Sequence, residues 1–385
     1  MKVFILPTSY PNIHNPQKDI FIYEQAKQLS NMGHDVVVLH VEKLPTKDIL
    51  KPVSNKISEI DDGFAIRFTK CQKTLMEDRF PLINRDGFVR NMEKLYLEAV
   101  DKKGEPDVLY AHFSCWAGFA GAVLSQKYKI PLVTIEHFGG LLENNVKKSI
   151  ISGVSYTRKN SKQFIAVSEN LRQSIKRLDR KNTEEIRVIP NMVDSCFLYS
   201  PRNNKENINI LSIGNLNKGK DFSTLIKAFC VAFSKEEKVC LRIGGGGPEE
   251  ASLKALIEEN ERVEQITLLG RLTRAQTMEE YRNCDCFAMA SRFETYGIVY
   301  REALAIGRPI ISTNHGGFSK YDWHDDYGYM VPVNDVNTMA NAMKMMVNTI
   351  DGFDGEKISK LCLNDCASDI VGKKIEEALL DAVNM

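Results

Sequence analysis

The 385-residue sequence contains no C-x-x-C pair, and its nine cysteines, an odd number, are scattered from Cys71 to Cys366. A disulfide framework and a zinc site are therefore disfavoured, and the reducing cytosol is the expected compartment. Cys284 and Cys286 flank Asp285 at the start of an apparent strand, where alternation puts both thiols on one buried face. No run approaches the roughly 18 apolar residues of a membrane span. Met1 to Pro7 is basic and then apolar but too short for a signal peptide, so it reads as a first buried strand. A net charge of +1 gives no global attraction to nucleic acid or membrane. No solenoid-type repeat is present.

What is present is ordinary globular composition, 43% hydrophobic and 26% charged, on a chain long enough for two domains. Charge is uneven only from Lys147 to Lys181. There Lys147, Lys148, Arg158, Lys159, Lys162, Arg172, Lys176, Arg177, Arg180 and Lys181 are opposed by Glu169 and Asp179 alone. This stretch reads either as the solvated face of two helices or as a surface for anionic lipid or a diphosphate-bearing acceptor, at about 1 kcal/mol per well-placed cation.

Short apolar runs alternate with amphipathic stretches. Strands are expected at Val3–Pro7, Asp35–Val41, Phe64–Phe68, Asp107–His112, Pro131–His137 and Phe164–Ser168. In the second half they are expected at Ile208–Ile213, Val239–Ile243, Ile266–Leu269, Cys286–Met289 and Pro309–Ser312. Helices are expected between them, among others at Ile20–Met32, Val89–Asp101, Ala117–Gln126, Glu169–Leu178, Phe222–Ala232, Glu249–Asn260, Arg274–Arg282, Ile298–Ile306 and Val336–Val347. Near-continuous Val/Ile/Leu strands separated by helices mean parallel sheets covered on both faces. The polar stretch Tyr199–Asn207 is the best linker. Two doubly wound α/β domains in series follow, with ligands beyond the carboxyl ends of the strands.

Three strand-to-helix turns carry candidate chemistry. Ser291 to Ala303 sets Glu294 and Glu302 eight residues apart around Gly297, with Arg292, Tyr296 and Ile298 alongside. Free N–H groups at a helix start suit a diphosphate, and ionised carboxylates suit sugar or ribose hydroxyls. The plain alternative is a helix start with acidic residues favoured by the dipole. Gly214-Asn215-Leu216-Asn217-Lys218-Gly219-Lys220-Asp221 offers close backbone approach and a lysine, but is not a P-loop, which would need Ser or Thr where Asp221 stands. Gly244 to Gly247 fails as G-x-G-x-x-G, because Glu249 occupies the third glycine position. Gly245 and Gly247 then read as a turn, with a nucleotide-facing role left open. His112 and His137 stand at strand ends, and two histidines without a carboxylate cluster do not make a metal site.

In this order and spacing the stretches resemble the retaining GT-B glycosyltransferases of family four, the glycosyl transferase group 1 type. The resemblance is carried by Pro7–His40, Tyr110-Ala111-His112, Ile135-Glu136-His137, Ala166–Glu169, Ile189–Asp194, Gly214–Phe229 with its Lys218-Gly219 pair, Gly245–Pro248, the E-x7-E pair Glu294/Glu302, Ala305–Ile310 and Gly316-Gly317. It implies a GT-B fold: two doubly wound Rossmann-like domains facing across a cleft, an acceptor-side domain over 1–200, a donor domain over 206–364, and a segment 365–385 returning to the first. It implies Lys218 on the donor diphosphate, Glu294 on the sugar hydroxyls, Glu302 on the ribose and His137 beside the reacting sugar. Gly214, Asn215, Gly245, Gly247, Arg292, Tyr296, Gly297 and Ile298 would complete the donor site. The partners implied are a nucleotide-sugar donor and a glycan or lipid-linked acceptor read mainly by Leu75–Arg90 and Gly139–Ser155. Peripheral contact with a membrane's inner face goes with a lipid-linked acceptor. No cofactor, metal or nucleic acid is implied. The expected reaction is retaining sugar transfer to a hydroxyl in assembly of a bacterial-type surface glycan or glycolipid. The chain departs from the pattern at Asn215, where arginine is usual, and at Asp19, Met192 and Lys320. Asn215 supports the alternative of a catalytically weak binding or partner subunit. A GT-B sugar-nucleotide epimerase is a third reading.

Overall fold

Val3 to Leu6 are fully buried on both sides of their strand, as a central parallel strand requires. The computed structural model describes residues 1–12, 15, 17–44, 56–73, 81–143, 145–203, 206–315, 318 and 323–385. Leu75–Phe80 of the expected acceptor segment, Gly316, Gly317, Lys320, Asn204 and Lys205 lie outside these. The chain divides into two units, Met1–Met192 with Ser368–Met385, and Val193–Ala367.

In the first unit, β1 (Lys2–Pro7), β2 (Asp35–Leu44), β3 (Ser58–Asp61), β4 (Ile66–Lys73), β5 (Val108–His112), β6 (Leu132–Glu136), β7 (Gln163–Ala166) and β8 (Arg187–Val188) form one sheet. Its order is β3-β4-β2-β1-β5-β6-β7-β8. All neighbours are parallel except β3, which runs antiparallel to β4. The sequence reading missed β3: its residues Ser-Glu-Ile-Asp are exposed throughout, so no apolar face marks it. The helices are α1 (Ile20–Asn31), α2 (Pro81–Lys103), α3 (Phe119–Tyr128), α4 (Lys148–Asn160) and α5 (Glu169–Leu178). A π-helical segment, Ser114–Gly118, leads into α3. Ser168 caps α5 by accepting the Leu171 N–H.

The second unit holds β9 (Ile208–Ile213), α6 (Phe222–Ala232), β10 (Val239–Gly244), α7 (Glu250–Glu259), β11 (Ile266–Gly270), α8 (Arg274–Asn283), β12 (Cys286–Met289), α9 (Ile298–Ala305), β13 (Ile310–Thr313), β14 (Gly328–Val331), α10 (Val336–Thr349) and α11 (Gly355–Cys366). Its six parallel strands run β11-β10-β9-β12-β13-β14. The order reverses at β9/β12, the switch point where such sheets bind ligands. Val193 pairs with Ala367 and its N–H donates to Cys366 O at 2.8 Å, so the stretch read as a linker already lies inside this unit. The last helix, α12 (Ser368–Asn384), belongs to the first unit. There Val371, Ile375 and Leu379 are fully buried, worth roughly 1.5–3 kcal/mol each.

All nine cysteines are free, and Cys284 and Cys286 are both buried. Among the described residues no helix is long and apolar enough to cross a membrane.

Candidate functional site

At the switch point of the second unit the loop after β9 meets the loop after β12. The Asn217 side chain accepts the N–H groups of Gly219 at 2.9 Å and Lys220 at 3.2 Å, closing a tight turn. The Arg292 N–H donates to Gly219 O at 2.8 Å. Arg292 Nε also donates to Asp221 at 3.0 Å, while Asp221 caps α6 through the Thr224 N–H. Lys220 pairs with Glu294. The two candidate loops are thus one cross-linked unit. Asn215 and Lys218 remain exposed on its surface.

Glu294 accepts hydrogen bonds from Lys220 and from the Ser291 hydroxyl, the latter at 3.0 Å. Burial works against its ionisation, but Lys220, the neighbouring His315 and these hydrogen bonds outweigh it and lower the carboxyl's pKa. Glu294 is therefore a carboxylate at neutral pH. Burial brings His315 down to about 4, leaving it neutral; its ring lies 3.2 Å from the Tyr300 hydroxyl. Glu302, 4% exposed, accepts from Arg274 Nη1 at 2.5 Å and from the Tyr281 hydroxyl at 3.1 Å. Gly297 caps α9 at φ +71°, and a Cβ there would stand 2.8 Å from the Tyr300 ring. Ile298 opens the helix, half-buried, while Tyr296 is buried beneath the Arg301 guanidinium at 5.1 Å.

The glycines of the third turn have a packing reason of their own. Gly214 and Leu216 donate their N–H groups to Gly244 O at 3.0 Å and Gly246 O at 3.2 Å. A Cβ on Gly245, at φ +139°, would lie 1.9 Å from Gly214 O, and one on Gly247 2.4 Å from Leu216 O. These glycines let two backbones touch, and that suffices to require them. The Arg271 side chain lies over Gly246, 3.0 Å from where its Cβ would be.

In the first unit His112 and His137 end β5 and lie just past β6. His112 Nδ1 and His137 Nε2 are 3.1 Å apart, and the rings stack at 10°. Burial pushes the His137 pKa down to about 3 and, with the neighbouring His137, that of His112 well below its usual value. Both are neutral imidazoles, suited to hydrogen bonding rather than proton transfer at neutral pH. Phe113 between them and α3 holds φ +69°, a strained conformation for a non-glycine residue. Beside this pair opens a cavity of about 640 Å³, whose lining includes Asp19, Phe113, Trp116, Glu136 and Phe138 together with Arg85, Gly140, Lys147 and Ile150. The last four fall in the two segments expected to read the acceptor. In the basic stretch, Arg158 is buried and paired with Asp179 at 3.4 Å, and Arg172 pairs with Glu169. Neither contributes to a basic surface. Lys148, Lys159, Lys162, Lys176, Arg177, Arg180 and Lys181 are exposed.

Sequence reasoning therefore found the loops but missed Arg274, Tyr281, Asp221, His315 and Arg271. Asp221 carried a local signal, an acidic residue immediately before an apolar helix. The others arrive from distant segments.

The model for glycosyl transferases group 1 matches residues 199–349, and that for glycosyltransferase family 4 matches residues 19–196. The chain is 22% identical to a glycogen synthase of Mycobacterium tuberculosis over 90% of its own length and 86% of the relative's. Its fold matches sucrose-phosphate synthase from Thermosynechococcus elongatus with a TM-score of 0.80 at 16% identity, covering 98% and 97% of the two chains. It also matches Anabaena HepE in complex with UDP with a TM-score of 0.73 at 16% identity, over 99% and 100%. Two family models in series, together with two parallel-sheet units in their order, make this chain a GT-B glycosyltransferase of the group 1 family.

Proposed function

We propose that the protein transfers a sugar from a nucleoside diphosphate, UDP being the first candidate, to an acceptor hydroxyl with retention at the anomeric carbon. The observation that carries this reading is the cross-linking of Gly214–Asp221 to Ser291–Glu302, which gathers Glu294, Glu302 and the start of α9 at one switch point. A fold neighbour that binds UDP supports the choice of base.

In this reading Glu302 receives the ribose hydroxyls, and Arg274 and Tyr281 hold it in position. Glu294, kept ionised by Lys220, receives hydroxyls of the donor sugar. The demanding event is cleavage of the bond from C1 to the diphosphate oxygen, which leaves charge on the departing phosphate. Lys218 and the N–H groups at the start of α9 stabilise that charge, so no divalent metal or cofactor is required. Neutral His137 positions the sugar by hydrogen bonding. The chain offers no evident nucleophile. The acceptor hydroxyl therefore attacks from the face the diphosphate leaves, and the leaving phosphate takes its proton. An inverted product would overturn this step. The role is assembly of a surface glycan or glycolipid at the inner face of a membrane, met by the exposed lysines and arginines of α4, α5 and the turn after α5.

A thermal-shift panel of nucleoside diphosphates and their sugars, with Glu302→Ala alongside, tests the donor site. One base should stabilise the wild type and not the variant. No shift with any nucleotide would instead favour a non-catalytic partner subunit, the reading that exposed Asn215 supports: Lys220 and Arg292, which could replace the missing arginine, are each already paired with a carboxylate.

A further inference from the structure

Of the carboxylates lining the cavity of the first unit, Asp19 and Glu136 are spent in hydrogen bonds and Glu143 is exposed, while one guanidinium is not spent. Glu136 Oε1 accepts the N–H groups of His137 at 2.9 Å and Phe138 at 2.8 Å, and its Oε2 accepts the Ser114 N–H at 2.9 Å and the Ser114 hydroxyl. Asp19 accepts the Ser9 hydroxyl. The Cys115 thiol, pushed up to about 12 by burial, supplies no anion. Arg85 projects from α2 into the lining with its guanidinium carbon 4.0 Å over the Phe119 ring. That contact occupies its face and leaves its edge, where the N–H donors lie. Arg85 Nε is buried without a hydrogen-bond partner. Among the described residues no carboxylate pairs with Arg85.

We propose that this cavity receives an acceptor bearing an oxyanion, a carboxylate or a phosphate, paired by Arg85. A planar guanidinium matches either group with two parallel hydrogen bonds. The aromatic walls, Phe113, Trp116 and Phe138, suit the apolar faces of a sugar ring, and about 640 Å³ is the size of an ordinary small-ligand site. Lys43, stacked over Trp116 at 4.3 Å, adds a second positive charge to the wall. Calling the occupant an acceptor rests on the glycosyl-transfer reading; the oxyanion site itself does not.

The test uses matched probes on the full chain by ligand-observed NMR titration: methyl β-D-glucuronide against methyl β-D-glucoside, and glycerol 1-phosphate against glycerol. The charged member of at least one pair should bind about tenfold or more tighter than its neutral partner. The pair that responds identifies carboxylate or phosphate. Arg85→Ala should abolish the preference and Arg85→Lys should keep part of it, with thermal unfolding curves verifying the fold. If Arg85→Ala does not fold, Arg85→Gln carries the same expectation. Equal binding of charged and neutral probes, no binding of any probe, or a preference unchanged in the variant would overturn the proposal. A parallel UDP titration separates the two readings. UDP binding without oxyanion preference sinks this proposal alone, and oxyanion preference without UDP binding sinks the donor site alone.

Discussion

Replacing Glu302 by alanine separates what a carboxylate does for the fold from what it does for a ligand. In the folded chain it accepts hydrogen bonds from Arg274 and Tyr281. Neither donor is orphaned by its loss. The single Tyr281 hydroxyl proton is shared between Glu302 and Val299 O, and without Glu302 it keeps Val299 O at 2.8 Å, while Arg274 keeps Asp194 at 3.7 Å and the Phe197 ring at 4.4 Å. The Arg274 side chain is also 26% exposed. The stability cost should therefore be about 1–2 kcal/mol, well short of the 3–5 kcal/mol of a stranded buried charge. The binding cost is that of charge-assisted hydrogen bonds to ribose, about 1.5–3 kcal/mol, or roughly 10- to 150-fold in Kd. Urea unfolding reads the first quantity and calorimetric titration with UDP the second. Titration with the 2′,3′-dideoxy analogue closes a cycle: it should bind wild type weakly and lose nothing further in the variant. UDP affinity unchanged in a folded Glu302→Ala protein, or an analogue penalty equal in both proteins, would refute the assignment of Glu302 to the ribose.

Asn215→Arg should restore a second cation beside Lys218 and raise donor turnover about tenfold or more, measured as UDP release with and without acceptor. Gly245→Ala should destabilise the second unit and abolish nucleotide binding, because its Cβ would overlap Gly214 O; a near-native urea midpoint would contradict this. Acid should unfold the first unit first. Burial holds His40 and His137 near 3, His112 well below its usual value and, in the second unit, His315 near 4. Below the unfolded value of about 6.5 the unfolded chain binds more protons. Stability present above that pH is then lost as pH falls, by up to about 1.4 kcal/mol per pH unit per histidine. The raised carboxyls of Asp19 and Glu136 oppose this in part. Trp116 lies in the first unit and Trp323 in the second, so fluorescence of Trp116→Phe and Trp323→Phe proteins follows each unit separately.

The strands and helices most legible in the sequence were those whose burial is continuous or whose ends carry a cap. β9, β12, α5 and α6 have the bounds expected from the sequence, and in the structure Ser168 and Asp221 cap the two helices. Ser58–Asp61 was illegible because an exposed edge strand needs no apolar pattern, and Gly328–Val331 because it follows no periodic run. The strand expected at Phe64–Phe68 overlaps the start of β4 but begins two residues early and stops five short, since pairing with β2 runs from Ile66 to Lys73. The candidate loops were legible because strand, glycine, charged residue and helix follow one another along the chain. Arg274 and Tyr281 beside Glu302, His315 beside Glu294, and Arg85 in the cavity were not. Each is an ordinary residue in its own segment, and only tertiary structure brings it to its partner.

The contact between the Gly214–Leu216 and Gly244–Gly247 backbones also bears on redesign. Two neighbouring carbonyl oxygens dictate residue choice at Gly245 and Gly247, so those positions form a fixed hinge plate on which variable parts are mounted. A library aimed at altered nucleotide preference should hold them constant and diversify Asn215 and Arg271. Their side chains stand in solvent at the rim of that plate and can change without parting the backbones beneath.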